Sequence, residues 1–129
     1  MPRCWLLITV LTLFSCGTSL GPPAYPRTVA GGYRLYRENV LASDQLPKGV
    51  PSSGLVRAVQ LVYDASNTIQ LTVFETKSHG VALEAMQTWR TQAGTQAALF
   101  GHYFVIAQSE KPDPAGMRAF LADFEKQLR

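Results

Sequence analysis

Two imidazoles and one nearby carboxylate carry most of the acid–base chemistry that this chain could offer. His79 and His102 are its only histidines, and an imidazole titrates near neutral pH and ligates metals through either ring nitrogen. Glu75 lies four positions before His79, at the expected end of a strand. If a second hairpin bends beside the start of the following helix, Glu75, His79 and His102 come together as a general acid–base group or as ligands for a divalent metal. The spacing favours a plainer assignment, because no HExxH pair or comparable ligand interval is present. His79 then sits in the first turn of a helix, His102 in a bend and Glu75 at a solvated strand end. No catalytic residue, metal site or cofactor is assigned, and these three residues stand as the candidates. Residues 17–21 (GTSLG) match the G-x-S-x-G pattern of hydrolase nucleophile elbows. That motif needs a buried strand before it and a helix after it, and here Pro22 and Pro23 follow, so the match is coincidental.

The N-terminus is a different kind of signal. Residues 5–14 (WLLITVLTLF) are uncharged and apolar apart from Thr9 and Thr12 behind Arg3, a stretch too short for a membrane-spanning helix, which takes about 20 residues. Leu13-Phe14-Ser15-Cys16-Gly17 follows at once. This order resembles a bacterial lipoprotein signal, in which a branched apolar residue stands three before the modified cysteine with small residues between. Phe14 departs from the pattern by its bulk. The resemblance implies that residues 1–16 are a signal peptide, that Cys16 carries lipid, and that the mature chain is anchored to a membrane in the cell envelope. Gly17 stands where an Asp would resemble an inner-membrane retention signal, so the resemblance implies an outer membrane where there are two. The alternative is a conventional signal cut after Gly17 or Ser19, which releases a secreted protein. The chain's two cysteines are Cys4 and Cys16. A domain beginning beyond them has no disulfide, CxxC pair or thiolate zinc site.

The chain has 129 residues, with 12 Lys and Arg against 9 Asp and Glu. The basic residues are scattered without runs and without interleaved aromatics, which excludes a nucleic-acid surface from the expectations. Residues 17–32 are rich in Gly, Pro, Ser and Thr and are expected to be a flexible spacer. Residues 33–129 form a single domain, a length that supports one modest core.

Within that domain, residues 33–37 predict a short strand and residues 42–54 a loop. Residues 55–63 and 69–76 are β-branched and partly alternating around a turn, which predicts an antiparallel hairpin. Its core side is Leu55, Val59, Leu61, Tyr63, Ile69, Leu71 and Val73. Its other side mixes Gln60, Gln70 and Thr72 with Ala58, Val62 and Phe74, the pattern of a sheet facing water or a partner. A helix is expected from Ser78 to about Ala93, ended by Gly94 and striped by Ala82, Leu83, Met86, Trp89 and Ala93. Residues 95–108 are expected to hold a second hairpin or one long bent strand with its bend at Gly101-His102, and residues 103–107 are apolar on both sides, hence central. Asp113 caps a last helix with Pro114 at its first position and Met117, Phe120, Leu121, Phe124 and Leu128 on one stripe.

The order is β-β-β-α-β-β-α. It predicts an α+β fold in which an antiparallel sheet carries both helices on one face. Tyr63, Ile69 to Phe74, Gly80, Ala82, Leu83, Gly94, Gly101 and Phe104-Val105-Ile106 together resemble small uncharacterised bacterial exported domains. The resemblance implies an architecture and no activity. Tyr33, Tyr36, Trp89, Phe100, Tyr103 and Phe104 are expected to be core rather than a pocket lining, and Arg34, Arg37 and Arg57 to be solvated edge residues. The function expected is an exported, membrane-tethered accessory domain with an interaction or ligand-binding role. Its partners would be the membrane through the lipid, a protein, or a second copy through the face around Gln60, Gln70, Thr72 and Phe74. The competing expectation is a small secreted hydrolase or metal-dependent enzyme that uses His79 or His102.

Overall fold

The structure, a computed structural model, describes residues 25–46, 53–90, 92–111 and 113–128. Six strands form one antiparallel sheet: β1 (Thr28–Val29), β2 (Tyr33–Val40), β3 (Leu55–Asp64), β4 (Thr68–Thr76), β5 (Thr95–Phe100) and β6 (Tyr103–Ser109), in spatial order β1-β2-β3-β4-β6-β5. Helix α1 (His79–Thr88) lies between β4 and β5, and helix α2 (Pro114–Leu128) ends the described chain. The fold is α+β, and the order of strands and helices is the expected one with the two-residue β1 added in front.

Local chemistry sets the turns. Ser78 caps α1 by accepting from the Val81 amide, and Asp113 caps α2 by accepting from the Gly116 amide at 3.1 Å, each satisfying an amide that the first helical turn leaves open. The β5–β6 turn is only Gly101 and His102. Gly101 has φ +62°, a value that two-residue hairpin turns demand and that glycine adopts without steric cost.

The helices lie on opposite faces of the sheet, not on one. Along β3, β4 and β6, Val59, Leu61, Tyr63, Ile69, Leu71, Val73, Val105 and Ala107 point to the side where Met117, Phe120, Leu121 and Phe124 of α2 pack. Ala58, Phe74, Phe104 and Ile106 alternate with them and point to the other side, against Ala82, Ala85 and Trp89. The physical reason is that β4 and β6 are central strands, apolar on both sides, and such strands need cover on both. A bulge between Leu55 and Arg57 sends Leu55 to the α1 side as well, away from the row it was expected to join.

Two further expectations change. Helix α1 stops at Thr88, not near Ala93, because Trp89 turns to extended geometry while its amide still bonds the Ala85 carbonyl at 3.0 Å. That exit lays the indole against Phe104, with ring centroids 6.2 Å apart. Gly94, with φ +80°, serves the turn into β5. The second change concerns residues 25–32. Tyr25 is 5% exposed and Val29 4% exposed, so this stretch belongs to the domain and not to the spacer. Tyr25 stacks on Phe124, the Tyr63 hydroxyl donates to the Pro26 carbonyl at 2.6 Å, and the Ala30 amide donates to the Asp123 carboxylate at 2.9 Å. The leader, Cys16 and the remainder of the expected spacer lie outside the described residues.

Candidate functional site: the turn end of the sheet

The starts of β3 and β6, the end of β4 and the last turns of α2 meet at one end of the molecule. Counting outward from a turn centred on Ser66 puts Arg57 opposite Glu75, and the register confirms that pair and sets Tyr103 on the other side of Glu75. Arg57 donates to Glu75 Oε2 from Nε at 3.2 Å and from Nη2 at 2.6 Å. The Tyr25 hydroxyl, fifty residues earlier in sequence, donates to the same oxygen. Glu75 is 7% exposed. A carboxylate that deep is tolerable only when it is paired and hydrogen-bonded, and these three donors meet that requirement.

Burial pushes the Tyr25 phenol far above its usual range, and the neighbouring Glu75 carboxylate pushes it further. Tyr103 moves the same way, by burial first and the Glu75 charge second. Tyr25 therefore remains a protonated donor, and Oε2 has its lone pairs occupied. The arrangement is a neutral strut that ties the chain at residue 25 to β3 and β4.

Beside the strut a cleft of about 310 Å3 opens between the β5–β6 turn and the end of α2, lined by Phe100, Gly101, His102, Tyr103, Glu125 and Leu128. That volume lies at the small end of ligand pockets, which run from about 300 to 1,000 Å3. The His102 ring rests on Tyr103, with centroids 4.2 Å apart. Phe100 and Tyr103 thus serve the α2-side core and the cleft at once, whereas Trp89 and Phe104 are core residues of the α1 side.

The expected bend does lie beside the start of α1. His79 Nδ1 is 2.6 Å from the Gly101 carbonyl, and the Thr76 hydroxyl donates to the His102 carbonyl at 2.6 Å. A carbonyl only accepts, so Nδ1 of His79 carries the proton. The backbone approach does not join the three candidates, however. Glu75 is held by Arg57 and Tyr25 in the α2-side core, His102 stacks on Tyr103, and His79 opens the helix on the opposite side. Among the described residues no group of three His, Cys, Asp or Glu side chains converges as a metal site. Arg57, expected at a solvated edge, is instead on the interior strand β3 and in an ion pair.

Sequence reasoning missed Tyr25 and the Arg57–Glu75 pair. Hairpin counting could have found the pair. Tyr25 gave no periodic signal, because it packs from a Pro-rich stretch through contacts remote in sequence.

No protein-family model matches the chain, and no curated protein or solved structure is significantly similar to it. Among the described residues no helix is long and apolar enough to cross a membrane.

Proposed function

We propose that this chain is an exported binding domain, tethered to a membrane of the cell envelope by lipid on Cys16 and acting as an accessory that engages a ligand or partner. The observation that carries the proposal is the leader: a largely apolar, uncharged stretch behind Arg3 that ends in Leu13-Phe14-Ser15-Cys16. Acylation with several chains exceeds what reversible one-chain binding requires and holds a protein firmly. Support comes from the way the chain is rooted at Tyr25. Nine steps of chain separate Cys16 from Tyr25, a reach of at most about 30 Å when fully extended. The strut and the cleft at the β5–β6 turn share the end of the sheet where that tether enters, so on this proposal they face the membrane side. The opposite end, with the β3–β4 turn, faces outward.

Mass spectrometry of the protein from globomycin-treated and untreated bacterial cells tests the tether. A mature chain that begins at lipid-bearing Cys16, replaced under the inhibitor by an uncut precursor that keeps residues 1–15, is the expected result, and a mature chain that begins after Cys16 would overturn it.

A further inference from the structure

Helix α1 covers only part of its face. It sits on Ala58, Phe74, Phe104 and Ile106, toward the tethered end, and among the described residues nothing else covers the part of that face beyond them. Two cross-strand rows cross the open part. In one, Asn39 of β2 faces Gln60, which faces Thr72 and then Ile106. In the next, Arg37 faces Val62, which faces Gln70, Gln108 and Thr95. Gln60, Val62, Gln70 and Thr72 are half-buried on the sheet floor, while Asn39 and Gln108 are exposed. A shallow hollow of about 260 Å3 continues the rows, lined by Thr68, Gln70, Gln108, Ser109 and Glu110.

None of the side chains of Asn39, Gln60, Gln70, Gln108 and Thr72 makes a hydrogen bond to another described residue. Each amide offers two donors and a two-lone-pair acceptor, and the strands fix where those groups stand. Four amides in register on a rigid sheet form a surface of alternating donors and acceptors. Val62, half-buried, interrupts the rows with a small apolar spot, and Ile106 ends its row beneath the helix. Charge stands at the margins, as Arg34, Arg37 and Asp64 at one side and Glu110 at the other.

We propose that this open half-face binds a neutral oligosaccharide. Paired hydroxyls of a sugar both donate and accept, which matches primary amides, and the apolar C–H face of a sugar ring matches Val62. A polyanion finds Arg34 and Arg37 at one edge only, with Asp64 beside them and Glu110 across the face, so it is disfavoured. A second copy of this chain is disfavoured by size. Four strands about 4.8 Å apart and two rows about 7 Å apart make a patch of about 300 Å2, against the roughly 800 Å2 per partner of a stable protein interface. This inference deepens the binding role proposed above, naming its ligand class, and is independent of the lipid on Cys16.

The test is side-chain amide NMR on the full chain in a zwitterionic detergent, titrated with an N-acetylglucosamine tetramer and, separately, a glucose tetramer. Saturable movement of the Gln60, Gln70 and Gln108 amide signals with either sugar, weakened tenfold or more in the Gln60→Thr, Gln70→Thr double variant, is the expected result. Threonine keeps strand propensity at these half-buried positions, and unchanged backbone signals elsewhere verify that the variant folds. Absence of movement with both tetramers, or equal movement in the variant, overturns the proposal. Movement that follows protein concentration without sugar also overturns it, in favour of self-association. Lipid found or not found on Cys16 leaves each of these outcomes unchanged.

Discussion

The two faces of the sheet are built from different residues. Under α2 the core is large and aromatic. Phe120 meets Tyr33 and Tyr63 edge-on at 5.2 Å each, Phe124 stacks at 6.3 Å on both Tyr25 and Phe120, and the leading segment closes the margin. Under α1 the helix contributes buried Ala82, Ala85 and the departing Trp89, with half-buried Met86, over Phe74 and Phe104. Small helical residues let a ten-residue helix lie close to the sheet, but they cover little of it. The first face is sealed and the second is left half open, so the stability of the domain should come from one side and its recognition from the other.

Phe120→Ala should break that comparison most severely. The ring is fully buried, and its loss should cost about 4 kcal/mol, read by chemical denaturation. Tyr25→Ala follows at about 3 kcal/mol, since it removes a buried ring together with one donor to Glu75. An effect below about 1 kcal/mol would return residue 25 to the spacer. Glu75→Gln should cost about 2 kcal/mol by leaving Arg57 without its counter-charge, less than a fully buried pair because the Arg57 side chain is 21% exposed. Gln70→Ala should change stability by less than about 0.5 kcal/mol, as expected for an open position with no partner.

The sealed face also makes a prediction about pH. Tyr63 is raised far above its usual value by burial, with the Glu38 charge adding to it, and Tyr25 is raised as described. The unfolded chain loses phenolic protons from about pH 10 upward, while the folded chain keeps them. The unfolded state then binds fewer protons, and stability falls as pH rises. The contribution of both tyrosines is thus complete below about pH 10 and is lost from there toward their raised folded values. Tyr63→Phe should cost about 1 kcal/mol at neutral pH through the Pro26 hydrogen bond and should flatten the alkaline limb, measured by denaturation between about pH 8 and pH 11.

Much of this architecture was legible in the sequence because it is local. The Asp113-Pro114 start and the stripe from Met117 to Leu128 specify α2, and Gly101-His102 specifies a two-residue turn. The side of each helix was legible in principle, since residues 103–107 are apolar on both faces. It was misassigned because Ala58 and Phe74 read as stray apolar residues on a wet surface. The bulge beside Leu55 is invisible in an alternating pattern, and Tyr25 owes its place to Glu75 and Phe124, far along the chain. The proposed sugar surface was half legible: Gln60, Gln70 and Thr72 marked a mixed face, but only the register aligned them with Asn39 and Gln108.

Neighbouring residues of β4 report on the two faces of the sheet separately. Both cysteines of the chain lie before residue 17, so with Cys4 and Cys16 replaced by serine a single cysteine can be placed at Gln70 or at Leu71, in the middle of β4. Thiol-labelling rates in native conditions should differ sharply. A cysteine at 70, on the open half-face, should react within about tenfold of a free thiol, and one at 71, under α2, should be protected by about 1,000-fold or more because it is exposed only on unfolding. Similar rates at the two positions would contradict a sheet that is sealed on one side and open on the other.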